Sequence, residues 1–413
     1  MLKILDNIIF IKKNIFKIKD KVKIIIKDIK KYTENALIYY IKKIDGICLN
    51  NIKKIILNNN VLKKTYKKIN IYKKKILKEI YIRLKRYHFH NFINSWQINN
   101  KKDIIYGQKI NCIEKICIYV PGGNTIYPSS IFMNCSPSLI YKPKIIFMIS
   151  PIKNGLISNL ILSISYLNNI KKIIFSGGVH TLSCVVFGTK NIIKVDKITG
   201  PGNYFVTKAK KIFFGNIGID MLAGPSELII VCDSNIHPYI ISLDFFSQLE
   251  HDIYASCIVL SNNKKYLNLL YKTIYKLLKI QKNKKIIFKS LKNSFLLFKK
   301  IINIIEIINF FSPEHLMLCI KNSNKILKYI KNCGAIFLNY NTSETYGDYM
   351  IGPSHVIPTN KTSKFFSSLN INDFCKKIGI IKIINNNYSK KISSFISKIE
   401  HFFSHSYSSI IRK

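Results

Sequence analysis

Arginine is nearly missing from this chain. Only Arg83, Arg86 and Arg412 occur, although Lys and Arg together number 66 against 21 Asp and Glu, a formal net charge of +45. Arginine is the usual reader of base edges and the bidentate partner of phosphate, so a basic chain without arginine clusters is not read as a specific nucleic-acid binder. The excess is lysine, accompanied by Ile and Asn, the trio that an AT-rich coding sequence favours. Long apolar runs are lacking as well. Lysines interrupt every stretch before the roughly 18 residues that a membrane-spanning helix needs, and Met1 to Lys31 has neither the apolar core nor the small-residue cleavage site of a secretory signal. No Cys-x-x-Cys pair exists among the ten cysteines; the closest spacing is Cys112 with Cys117. That excludes a zinc ribbon and a secreted disulfide framework and predicts reduced thiols in a cytoplasm. A dinucleotide fingerprint is absent too: Gly200-Pro201-Gly202-Asn203-Tyr204-Phe205 puts Phe where the third small residue belongs.

What is present is a large apolar fraction, 48% of 413 residues, enough for two or three compact units. Up to about residue 105 the texture is Lys/Ile/Asn-rich, with apolar positions such as Ile76, Ile80 and Leu84 at helical spacing. From Ile113 it changes. Short strands are predicted at 116–120, 144–150, 172–176, 228–231, 256–260 and 335–338, and helices at 154–167, 181–187, 238–249 and 265–280. Such alternation implies an α/β protein with parallel sheets covered on both faces. Residues 369–413 read as a helical tail.

The chemistry-bearing residues lie in a few segments. Gln248 and His251, three apart at the end of a predicted helix, share a face and can converge on a borderline cation. Glu314-His315 joins a carboxylate to an imidazole after Pro313; His suits a general base near neutral pH, and Glu can activate water, but taken alone the pair reads first as a helix N-terminal Glu beside a packed His. Asp348 sits in the glycine-punctuated segment from Tyr346 to His355, where a turn or capping role is an equal alternative. Glu400 and His405, five apart, need not share a face. His88, His90, His237 and His401 are read as structural.

In chain order, the sequences 119–123, 195–203, 206–210, 220–227, 247–251, 313–315, 347–349, 355–359 and 400–405 resemble the signatures of histidinol dehydrogenase. The resemblance implies two doubly wound Rossmann-like parallel-sheet domains lacking the Gly-rich fingerprint, with helical N- and C-terminal extensions, in an intertwined homodimer. The expected division is a helical extension over 1–15, a discontinuous domain of 16–118 and 226–368, an inserted NAD-contacting domain of 119–225, and a tail of 369–413 reaching the partner subunit. It implies oxidation of L-histidinol to L-histidine through histidinaldehyde with two NAD, one zinc per subunit, and neither nucleic acid nor membrane as partner. Zinc falls to Gln248, His251, Asp348 and, from the partner's tail, His405. His315 is the expected base and Glu314 activates water. Ser226, Glu400 and the zinc ligands contact substrate, as does His315. Tyr119, His180 and Asn203 contact NAD. Two departures stand out: Gly177-Gly178-Val179-His180 carries His where the family has Gln, and Leu222 replaces a usual proline. A zinc hydrolase using Glu314, or a thiol route through Cys112 or Cys117, are the alternatives of other classes.

Overall fold

Two six-stranded sheets with one strand order between them carry the molecule. They are seen in a computed structural model that describes residues 3–5, 21–100, 104–122, 127–151, 158–385 and 387–412. The first sheet contains β2 (Ile56–Asn58), β5 (Lys115–Tyr119), β6 (Ile145–Ile149), β7 (Lys172–Ile174), β8 (Lys197–Thr199) and β9 (Gly218–Ile219), in the order β2-β7-β6-β5-β8-β9. All its pairings are parallel except that of the edge strand β2 with β7. The second contains β1 (Lys3–Leu5), β10 (Glu227–Cys232), β11 (Ser256–Ser261), β12 (Phe295–Phe298), β13 (His315–Cys319) and β14 (Ala335–Leu338), in the order β1-β12-β11-β10-β13-β14, parallel throughout.

The unbroken apolar run of β10 follows from burial on both faces. Leu228, Ile230 and Cys232 pack with Ile241 and Phe245 of α8 (Pro238–Leu249) and Leu267 of α9 (Lys264–Leu278). Ile229 and Val231, one residue out of phase, pack with Ile304 and Ile308 of α11 (Ile301–Phe311). Each such buried side chain contributes about 1.5–3 kcal/mol. The first sheet is covered by α6 (Gly178–Phe187) and α7 (Tyr204–Phe213), with α1 (Lys21–Tyr40) against them. On it also lie α4 (Pro128–Ser138) and α5 (Asn159–Leu167), with α2 (Asn59–Lys68) and α3 (Ile71–Phe89) beyond. On α3, Leu77, Leu84 and His88 are buried while Ile76 faces solvent.

Three expectations are corrected. Buried residues from Val22 to Leu84 and from Ile116 to Tyr119 share one core with the sheet of β5–β9, so their packing groups them with 119–225 and not with 226–368. The reason is local: β5 is that sheet's central strand, and β2 adds to its edge. Within the expected helical extension of 1–15, Lys3–Leu5 is a strand beside β12, and the rest of that stretch lies outside the described residues. The tail is α-helical only in α14 (Asn387–Ile399) and α15 (Phe403–Ile410), with one short 3-10 helix earlier at Ile371–Phe374. Before them β15 (Cys375–Ile383) pairs antiparallel with β4 (Ile104–Cys112), itself paired with β3 (Trp96–Asn100). These segments escaped because their outward faces carry apolar residues, Ile378 and Ile381 among them, which blurs the alternation that marks a strand.

Candidate active site

Glu227 and His315 are the first residues of β10 and β13, paired neighbours in the second sheet, so both stand at its N-terminal edge. Glu314 precedes His315, and Ser226 precedes Glu227. Helix α8 runs back from the far edge and delivers Gln248 in its last turn. His251 lies just past the helix end, held by a turn in which its N–H faces the Gln248 carbonyl at 3.4 Å. The shared helical face is thus replaced by a helix end followed by a turn. Helix α13 (Glu344–Tyr349) adds Asp348 and is pinned to α8 where the Ser343 hydroxyl donates to Asp244 Oδ1 at 2.7 Å.

The site is dry and acidic. Glu314 is buried, and its Oε2 accepts the Glu227 backbone N–H at 2.8 Å. Burial drives its carboxyl well above the ordinary range, with that hydrogen bond opposing and Glu227 and Asp348 adding to the rise. His315 is buried as well and is pushed down to about 4 by desolvation; Asp348 opposes this, while His251 and His355 reinforce it. His315 thus lies within electrostatic reach of Asp348, His251 and His355. His315 is therefore neutral and able to accept a proton at neutral pH. Glu344, buried and likewise raised by desolvation, brings Oε1 to 3.3 Å from His315 Nδ1. His355 Nδ1 lies 3.0 Å from the Asp348 carbonyl oxygen, and its Nε2 is 3.5 Å from the Ser130 hydroxyl of α4, which brings the first unit to the rim. Sequence reasoning gave no role to Glu227, Asp244 or Glu344. The one available signal was the four-residue step from Glu344 to Asp348, a shared helix face.

Gln248 is fully buried, yet neither its amide oxygen nor its nitrogen has a hydrogen-bond partner. Such a group costs about 1–3 kcal/mol unless a ligand satisfies it, and a carbonyl oxygen beside an imidazole and a carboxylate is a donor set suited to zinc. Gln248, His251 and Asp348 thus fit a metal. Among the described residues of one protomer, no three His, Cys, Asp or Glu side chains converge. Glu400 and His405 lie apart, exposed on the hairpin of α14 and α15, with the His405 ring 5.2 Å from that of Phe402.

The first sheet presents its opposite edge. Tyr119 ends β5, and its hydroxyl accepts the Gly178 N–H at the start of α6, 3.2 Å away. After β8 the chain turns through Gly200, at φ +107°, where a Cβ would sit 2.1 Å from the Tyr119 carbonyl oxygen. A buried Lys210–Asp220 ion pair holds this turn: Asp220 accepts the Gly200 N–H at 2.7 Å and Lys210 donates to the Gly200 carbonyl at 3.0 Å. Asn203 caps α7, its Oδ1 accepting from Phe205 and Val206 N–H at 3.1 Å each. His180 is buried in the first turn of α6, its Nε2 3.3 Å from Asp45 Oδ2 and 3.2 Å from the Ser176 hydroxyl, with Tyr40 stacked on its ring. Tyr119, His180 and Asn203 therefore cluster at strand C-terminal ends and helix N-termini, where open α/β sheets take ligands. The thiol route finds no support: burial pushes Cys112 up to about 11, and Cys117 is raised further inside β5.

The molecule was compared with known proteins. A profile of the histidinol dehydrogenase family matches residues 11–413. The histidinol dehydrogenase of Neisseria meningitidis serogroup A is 35% identical over 376 residues, covering 91% of this chain and 87% of that protein. That of Hydrogenovibrio crunogenus is 33% identical over 362 residues, covering 87% and 84%. The crystal structure of histidinol dehydrogenase from Elizabethkingia anophelis matches with a TM-score of 0.92 at 27% identity, over 99% of this chain and 97% of that one.

Proposed function

Because the chain belongs to the histidinol dehydrogenase family of oxidoreductases, which serves histidine biosynthesis, we propose that it oxidises L-histidinol to L-histidine through histidinaldehyde, with two NAD as co-substrates. The observation that carries this reading is the buried Glu314–His315 pair beside the unpartnered amide of Gln248. His315, neutral in its dry pocket, takes the alcohol proton as the carbinol carbon gives up hydride to the first NAD. Glu314 takes a proton from water as that water adds to the aldehyde. The hydrate then loses a second hydride to a second NAD, leaving the carboxylic acid.

Gln248, His251 and Asp348, with His405 from the tail of a second copy, would hold zinc. Bound there, zinc supplies a Lewis-acid anchor for the substrate's imidazole and amine. Ser226 at the same edge and Glu400 on the tail contact substrate. Tyr119, Asn203 and the His180 corner form the NAD side. A homodimer is supported by the hairpin itself, which leaves Phe395, Ile399, Phe403 and Tyr407 exposed while burying only small serines. All ten cysteines are free thiols, as in a reducing compartment, and on that ground we assign the enzyme to the cytoplasm.

The test is NADH formation from L-histidinol by the purified, zinc-loaded protein beside His315→Asn. Two NADH per histidinol, lost on chelation and reduced about 10²–10⁴-fold in the variant, is the expected result. NAD-independent turnover, or no turnover by a folded, metal-loaded protein, overturns it.

A further inference from the structure

We propose that Glu344 is the positioning residue for His315: its carboxylate accepts a hydrogen bond from Nδ1–H, which leaves the Nε2 lone pair to take the substrate's proton. The inference rests on the role proposed for His315. Glu344 is 1% exposed, its Oε1 stands 3.3 Å from His315 Nδ1, and its Oε2 has no partner. His315 Nδ1 is also buried without a hydrogen-bond partner. The orphaned Nδ1 is satisfied by one hydrogen bond to Oε1, which a small rotation of the imidazole closes. The competing acceptor, Glu314 Oε2, is 3.9 Å from Nδ1 and already committed to the Glu227 N–H. The two carboxylates therefore divide the work: Glu314 stays available to water, and Glu344 serves the imidazole.

The scaffold supports this division. Ser343, next to Glu344, is tied to Asp244 of α8, one turn before Gln248. Asp348 follows Glu344 by one turn of α13. One rigid bracket thus sets the base and two expected metal donors together. A carboxylate that fixes the tautomer of a catalytic imidazole in this way can contribute up to about 10⁴ in kcat.

The experiment compares Glu344→Gln and Glu344→Asp with the wild type, using kcat and KM for L-histidinol, bound zinc, thermal melting and ¹⁵N NMR of the His315 side chain, assigned by its loss in His315→Asn. Glu344→Gln is expected to lower kcat about 100-fold or more. KM should stay within about threefold, and zinc content should be unchanged. Glu344→Asp should recover most of the loss. In the wild type, His315 should be the Nδ1–H tautomer, and the Gln variant should lose that preference. An unchanged kcat, a loss confined to KM, or an Nε2–H tautomer in the wild type overturns the proposal. If Glu344→Gln does not fold, the wild-type tautomer and the Asp variant decide. If the wild type fails to oxidise histidinol, the proposed function falls while the tautomer still decides the role of Glu344.

Discussion

The two sheets share a strand order but offer opposite edges to the reaction. In the first, the residues proposed for NAD stand where strands end and helices begin, at Tyr119, Gly178 and Asn203. Backbone N–H groups and the positive ends of helix dipoles meet there, an environment for phosphate oxygens. In the second, the chemistry gathers where strands begin and α8 ends, at Glu227, Gln248, Glu314 and His315. The negative end of a helix dipole and a group of carboxylates favour a metal cation and an ammonium-bearing substrate. The same topology thus holds an anion side and a cation side, according to which edge faces the crevice. Charge follows the same division. Only 21 acids occur against 66 basic residues, yet Glu227, Asp244, Glu314, Glu344 and Asp348 all act on one small region of the second unit. The basic excess belongs to the solvated surface.

Substitutions on one edge should leave the other untouched. The largest effect is expected on the cation side. Gln248→Leu removes the buried amide and should weaken zinc retention at least 100-fold, measured by competition with a chelator, while NAD binding measured by calorimetry stays unchanged. A parallel loss of NAD affinity would break the separation.

A buried histidine away from the chemistry sharpens the comparison further. His88 on α3 is pushed down to about 4 from its ordinary 6.5 by burial alone, and neither ring nitrogen has a partner. Between those values the unfolded chain binds a proton that the folded protein refuses. Its contribution to stability is therefore full above about pH 6.5 and is lost as pH falls toward 4, by about 3 kcal/mol. In chemical denaturation across that range, His88→Phe should flatten the acid slope, and an unchanged slope would assign it elsewhere. His315, shifted to a similar value, should instead govern turnover.

The smallest effect is expected on the anion side. Tyr119→Phe deletes the hydroxyl that accepts the Gly178 N–H, a bond worth about 1 kcal/mol. KM for NAD should rise about fivefold with zinc content unaltered; a rise in KM for histidinol instead would move Tyr119 to the other edge.

Much of this arrangement was legible in the chain. Buried parallel strands show as short apolar runs closed by Gly or Pro, and the helix predicted for 238–249 is the observed α8. Gln248 with His251 draws notice by residue type and spacing, whereas Glu314-His315 gains its expected role only from the family resemblance. Glu344 did not, because a lone Glu four residues before an Asp reads as a helix surface until burial is known. Nor did the corner at His180. Its bonds to Asp45 and Ser176 join the turn after α1 to the start of α6 across 135 residues, and no local pattern encodes a contact at that separation.

Local pattern therefore determined most secondary elements after residue 113 and the residue types able to do the chemistry, since each depends on neighbours a few positions apart, while the ordered motifs pointed to the family. Only the tertiary structure decided which strand ends of each sheet carry the candidate residues, which carboxylate stands near Nδ1 of His315, and that the segment from Val22 to Leu84 packs on the first sheet. Those outcomes depend on desolvation and on distances between segments far apart in the chain, and both exist only once the chain has folded.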